Sequence, residues 1–145
     1  MDEGLRNEKP LRFKKAPMKT LMLVKFAVEV LAGLAFALFP SSLFVILLGA
    51  PLDTRGAYAF RMFGAAIFAI GVACWLARED SASSAARGLV TATAINDIAF
   101  VALLLAARFL GGLSGIALWP TVVLHLGLAL TCLFCLGQDP DIGAG

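Results

Sequence analysis

Four side chains of chemically capable type stand in or beside long apolar runs of this chain: Glu29, Arg61, Asp97 and His125. An ionisable group at membrane depth is expensive in hydrocarbon, so it turns toward protein or water and finds a partner. Two carboxylates at one level do not both ionise cheaply unless a cation joins them. With that cation, the set has the parts to relay a proton, hold a polar or cationic ligand, or act as acid and base. Lys25 stands one turn before Glu29 on the same helical face. Thr93 and Asn96 share a polar stripe with Asp97 at i, i+3 and i+4. Lys25, Thr93 and Asn96 are therefore the expected structural partners. A purely structural alternative pairs Lys25 with Glu29 and Arg61 with Asp97, and leaves His125 hydrogen-bonded to a neighbour.

Cys74, Cys132 and Cys135 are the other reactive side chains, and all three lie in apolar segments. Three soft ligands at a similar depth suit Cu(I). No second C-x-x-C and no histidine cluster accompanies them, so they are expected to pack as small apolar residues, with no metal site. No disulfide framework and no particular cofactor is indicated.

These groups must be positioned by helices that live in lipid. The chain has 145 residues, of which 60% are hydrophobic, and a mean hydropathy of +0.88; a water-soluble domain is nearer half apolar. The run Arg61 to Asp80 carries no charge between Arg61 and Arg78 and is rich in Gly and Ala. Gly56 to Ala77 spans roughly 30 Å as a helix, the thickness of a bilayer core. Tyr58 and Trp75 fall near its ends, where aromatic residues anchor at interfaces.

The expected fold is all-α: a four-helix transmembrane bundle over about 20–39, 57–77, 88–110 and 119–137. Pro40 ends the first helix. Leu43 to Leu48 is too short to span and predicts an interfacial or re-entrant helix between the first two spans. Pro120 falls in the first turn of the last helix, where its missing N–H is harmless. Residues 1–19 form a basic tail and 138–145 a short acidic one. Thr20 and Gly88 at one boundary put Glu29 and Asp97 each about 13 Å deep. His125, entering from the other side, lies roughly 9 Å below its boundary.

Arg6, Lys9, Arg12, Lys14, Lys15, Lys19, Arg78 and Arg87 fall on one side of this arrangement, against Arg55, Arg61 and Arg108 on the other. That asymmetry predicts both termini inside, with residues 1–19 cytoplasmic. Small residues recur at i, i+4 as Gly33 and Ala37, Ala65, Ala69 and Ala73, and Gly127 and Thr131. Such stripes let helices approach closely, within the bundle or toward a protein partner or second copy. Membrane lipids are the remaining expected partners, and no nucleic acid is expected.

The segment from Phe36 to Asp80 resembles small bacterial four-helix membrane proteins of no established activity. Their pattern joins a Pro-ended first helix and a short apolar segment to an Arg-x-x-Gly-Ala helix ending in Trp-Leu-Ala-Arg. Arg61, Gly64, Ala65, Trp75, Leu76, Ala77 and Arg78 stand at those places. The resemblance implies four helices and a bacterial inner membrane, and assigns no role to Asp97 or His125.

Three functions fit, in this order. The first is a non-enzymatic accessory or scaffold subunit of a larger membrane complex. The second is a small transporter or ligand-binding protein using Glu29, Asp97, His125 and Arg61. The third is a membrane enzyme on a lipid-like substrate, with His125 and a carboxylate as the acid–base pair.

Overall fold

The computed structural model describes residues 16–81 and 83–138. Among them are five α-helices: α1 (Ala16–Leu38), α2 (Pro40–Leu48), α3 (Thr54–Ala77), α4 (Ser84–Phe109) and α5 (Leu118–Gly137). A single 3-10 turn, Arg78–Asp80, follows α3, and no strand occurs among the described residues. The expectations for residues 1–15 and 139–145 fall outside these bounds. Ala16 to Lys19, expected in the basic tail, instead form the first turn of α1.

Local chemistry explains where the helices begin. Asp53 caps α3 by accepting from the Gly56 N–H at 2.7 Å, and Ser83 caps α4 by accepting from the Ala86 N–H at 3.1 Å. Both helices therefore start some residues before the apolar runs that announced them. Pro40 opens α2, and Gly49, at φ 72°, closes it in the left-handed conformation that glycine adopts without strain. The last carbonyls of α2 are satisfied from the α4–α5 loop. Gly115 N–H donates to Leu47 O at 3.2 Å and Ala117 N–H to Ile46 O at 3.0 Å.

Four helices, all but α2, are long and apolar enough to cross a membrane. A water-facing helix buries one apolar stripe and shows polar residues elsewhere. Here Leu31, Met62, Leu76, Leu103 and Val123 are each at least two-thirds exposed on the outside of the bundle. Helices apolar all round at this length belong in lipid.

The helices pack as two intimate pairs, α1 with α3 and α4 with α5. Backbone approach at glycine makes the first pair. A Cβ on Gly33 would lie 2.5 Å from Phe68 N and 2.7 Å from Gly64 O. One on Gly64 would lie 2.6 Å from both Ala37 N and Gly33 O. The face of α3 that packs is thus Gly64, Ile67, Gly71 and Cys74. Ala65 and Ala69 are exposed, and so are Gly127 and Thr131 on α5. The i, i+4 count through Ala65 and Ala69 picked the wrong side of α3. The buried spacing is three and four residues, the coiled-coil seam, and its members differ in size.

Two apolar layers hold the pairs together. Met18, Leu21, Met22, Val90, Ala94, Cys132 and Cys135 pack at the end where α1 begins. Leu47, Leu48, Leu104, Leu118 and Val122 pack at the α2 end. Between them lies a layer of charge.

Candidate functional site

Each helix places its contribution to that layer near its own middle. Lys25 and Glu29 come from α1, Asp97 from α4 and His125 from α5. Lys25 Nζ donates to Glu29 Oε1 at 2.8 Å and to Asp97 Oδ2 at 2.8 Å. His125 Nδ1 lies 2.8 Å from Asp97 Oδ1. Lys25 and Glu29 are 1% exposed and Asp97 is 0% exposed, so bulk water does not reach them. Gly71 makes room for this layer: a Cβ there would fall 3.1 Å from Glu29 Cβ.

Lys25 thereby takes the position expected of Arg61. It bridges the two helix pairs, because its partners Glu29 and Asp97 sit on α1 and α4. Arg61 is exposed, and lines a polar recess at the α2 end with Ser41, Asp53, Thr54 and Tyr58. Arg61 lies well over two turns before Gly71, which packs beside Glu29, and about 1.5 Å of rise per residue puts it too far up the helix to reach Asp97. The ammonium on α1 needs no such reach, since it starts one turn from Glu29 at the same depth.

The polar stripe of α4 divides. Thr93 is buried, donates to its own backbone at Val90 O at 3.0 Å, and lies 3.9 Å from Cys132 Sγ. Asn96 is half-buried and, with Glu29 and His125, lines a small cavity of about 20 Å³, room for a single water. Cys74, Cys132 and Cys135 are buried free thiols. Among the described residues no three His, Cys, Asp or Glu side chains converge on a metal position. The cation's place between the two carboxylates is filled by Lys25 Nζ.

His125 is the member of the layer with an open side. Its ring packs edge-on against Phe100, centroids 4.7 Å apart, and its side chain remains 12% exposed. It forms part of the wall of a second cavity, about 190 Å³, between α1, α2, α4 and α5. Val28, Ala32, Phe36, Leu47, Phe100 and Thr121 are among its other walls. Thr121 and Phe100 were not anticipated. Their signal was spacing: Thr121 is one turn before His125, and Phe100 is three residues after Asp97, so each shares a face with a residue already singled out.

An imidazole backed by a carboxylate is fixed in orientation and, at its second nitrogen, can accept or give a proton. No protein-family model, curated protein or solved structure matches the chain. Its fold defines a small all-helical protein with four helices suited to crossing a membrane. Within that class it carries a Glu29–Lys25–Asp97–His125 array near the middle of its helices.

Proposed function

We propose that this protein binds a small apolar ligand within the membrane, in the cavity beside His125. One observation carries the reading: His125, the most exposed member of a buried polar array, forms a wall of a largely apolar cavity of about 190 Å³. A cavity of about 150 Å³ suffices for a benzene-sized guest. The accessory-subunit reading drew on small-residue faces, and one of these, Gly33 with Ala37, is consumed against Gly64 inside the α1–α3 pair. Ligand binding uses the charged layer and the cavity together, which a scaffold role does not require.

The cavity reading is tested by filling it. Ala32 is half-buried and lines both cavities, so Ala32→Phe should occupy the space. Protein purified in native-like lipid discs and extracted into organic solvent should yield a small apolar molecule at near-equimolar amount by mass spectrometry. Ala32→Phe should lose it by about tenfold or more, while the outward Ala69→Leu should retain it. Equal yields from both variants would overturn the reading.

The same proposal includes an orientation with both termini on the cytoplasmic side of a bacterial inner membrane and α2 at the outer face. It is supported by the basic residues and by an ion pair, Lys19 Nζ to Glu79 Oε2 at 2.9 Å, that brings the start of α1 and the end of α3 to one side. Single cysteines at Ser84 and Thr54, in a Cys-free background, check it. An impermeant thiol reagent added to whole cells should label Thr54→Cys and spare Ser84→Cys, and the reverse pattern refutes the orientation.

A further inference from the structure

We propose that the polar recess at the α2 end binds the headgroup of an ethanolamine phospholipid, with its phosphate on Arg61 and its primary ammonium on Asp53. The site is separate from the cavity beside His125 and does not depend on it.

Two helix starts build the recess. Ser41 lies in the first turn of α2, and Asp53 and Thr54 open α3. Thr54, Tyr58 and Arg61 stand at i, i+4 and i+7, so they share one face of α3. With Ser41, Leu52, Asp53 and Ala57 they enclose about 270 Å³. About 150 Å³ houses a benzene ring, so there is room for a headgroup of about eight non-hydrogen atoms. Arg61 starts roughly 10 Å along α3 from Thr54, inside a segment apolar enough to cross a membrane. A long side chain at that place leans back toward the helix start, and its charge reaches the interface.

Charge selects the ligand. Arg61 and Asp53 both line the recess, so opposite charges face one space. They form no ion pair with each other, and Arg61 has no hydrogen-bond partner among the described residues. Asp53 uses Oδ1 to accept from the Gly56 N–H, which leaves Oδ2 to accept elsewhere. An anion alone would meet the Asp53 carboxylate, and a cation alone would meet the Arg61 guanidinium. A zwitterion with its charges a short linker apart satisfies both. The planar guanidinium fork matches two phosphate oxygens, and the hydroxyls of Ser41, Thr54 and Tyr58 can donate to the others. A primary ammonium has N–H groups to give to Oδ2, whereas a quaternary choline has none.

The surroundings select the source. Phosphoethanolamine esters exist free in water as well as on lipids. Here Phe39, Tyr58 and Met62, in the recess or beside it in sequence, are each more than 60% exposed. Apolar surface so open, on helices suited to lipid, is covered by acyl chains, and Tyr58 is of the type that anchors at the headgroup level. The occupant therefore carries tails.

Native mass spectrometry in detergent, with equimolar dioleoyl lipids bearing ethanolamine, choline or glycerol headgroups, tests the assignment. The parent protein should hold the ethanolamine lipid at least about tenfold more tightly than either of the others. Asp53→Asn keeps the helix cap, because asparagine caps as well as aspartate, and should reverse the preference in favour of the anionic glycerol lipid. Arg61→Gln should weaken all three lipids by about tenfold. Ala32→Phe, which fills the cavity beside His125, should leave the headgroup preference unchanged. Equal binding of the three lipids by the parent protein, or tightest binding of the choline or glycerol lipid, would overturn the proposal whatever the stability of the variants. An ethanolamine preference that survives Asp53→Asn would overturn the role of Asp53. Displacement by water-soluble glycerophosphoethanolamine at an affinity equal to the lipid's would overturn the lipid as occupant.

Discussion

Lys25→Met should be the most damaging single change in the charged layer, lowering stability by about 3–5 kcal/mol in mixed detergent micelles. Methionine keeps length and apolar bulk, so the loss reports charge and hydrogen bonding and not a large cavity. Two effects compete to set its size. Loss of interhelical hydrogen bonds alone is worth roughly 0.6–2 kcal/mol in a membrane protein, because the unfolded helices in lipid find other partners. Leaving Glu29 and Asp97 as buried carboxylates without the Lys25 ammonium between them costs more, and that cost decides the outcome. The distinction is measurable. Lys25→Met combined with Glu29→Gln and Asp97→Asn removes the uncompensated charges and should recover more than half of the loss, although it restores no ion pair. A Lys25→Met protein within about 0.5 kcal/mol of the parent would mean that the carboxylates are solvated from outside the described helices, and would sink the bridging role of Lys25. Asp97→Asn alone should be milder than Asp97→Leu, since the amide oxygen still accepts from Lys25 Nζ, now bonded at 2.8 Å to Oδ2.

The charged layer was legible in the sequence because intramembrane ionisable residues are few and must be paired. Depth alone brought Glu29 and Asp97 to one level and left His125 nearer the opposite boundary. The partner of Asp97 was harder. Arg61 and Lys25 both offer a cation, and a hydropathy pattern gives depth without saying which way a helix is turned. Lys25 wins because the close α1–α3 packing at Gly71 turns the Lys25–Glu29 face inward toward α4. The helix starts were missed by a few residues because Asp53 and Ser83 act as caps in polar segments that hydrophobicity ignores. The cavity could not be read at all. It depends on how α2 docks, and the α2 carbonyls of Ile46 and Leu47 are held by backbone groups of the α4–α5 loop, far away in sequence. Its trace in the sequence is glycine, since a Cβ on Gly115 would fall on the Ile46 and Leu47 backbone and one on Gly49 would lie 2.5 Å from Ser114 O, but a glycine does not name the segment it faces.

Gly64→Ala should destabilise the protein, and Gly64→Leu should do so by about 3 kcal/mol or somewhat more, at the upper end of overpacking effects. The direction for alanine is the informative part. In a helix interior, Gly→Ala ordinarily stabilises by roughly 0.5–1 kcal/mol, because alanine loses less backbone entropy. At Gly64 the added Cβ meets backbone, Ala37 N and Gly33 O at 2.6 Å each. Backbone atoms have no rotamer by which to escape, so α1 and α3 must move apart. That separation loosens contacts along the whole pair, including Phe36 against Phe63, now 5.5 Å between centroids. Gly127 is the control, because a Cβ there meets nothing within 4 Å. Gly127→Ala should therefore be neutral or slightly stabilising, and Ala69→Leu, on the exposed side of α3, should stay within about 0.5 kcal/mol. The two Gly→Ala variants thus differ in sign although the chemical change is identical. Denaturation of both in the same detergent reads the difference directly. If Gly64→Ala proves as harmless as Gly127→Ala, the helices are not in backbone contact, and the inward face of α1 that presents Lys25 to Asp97 loses its structural basis.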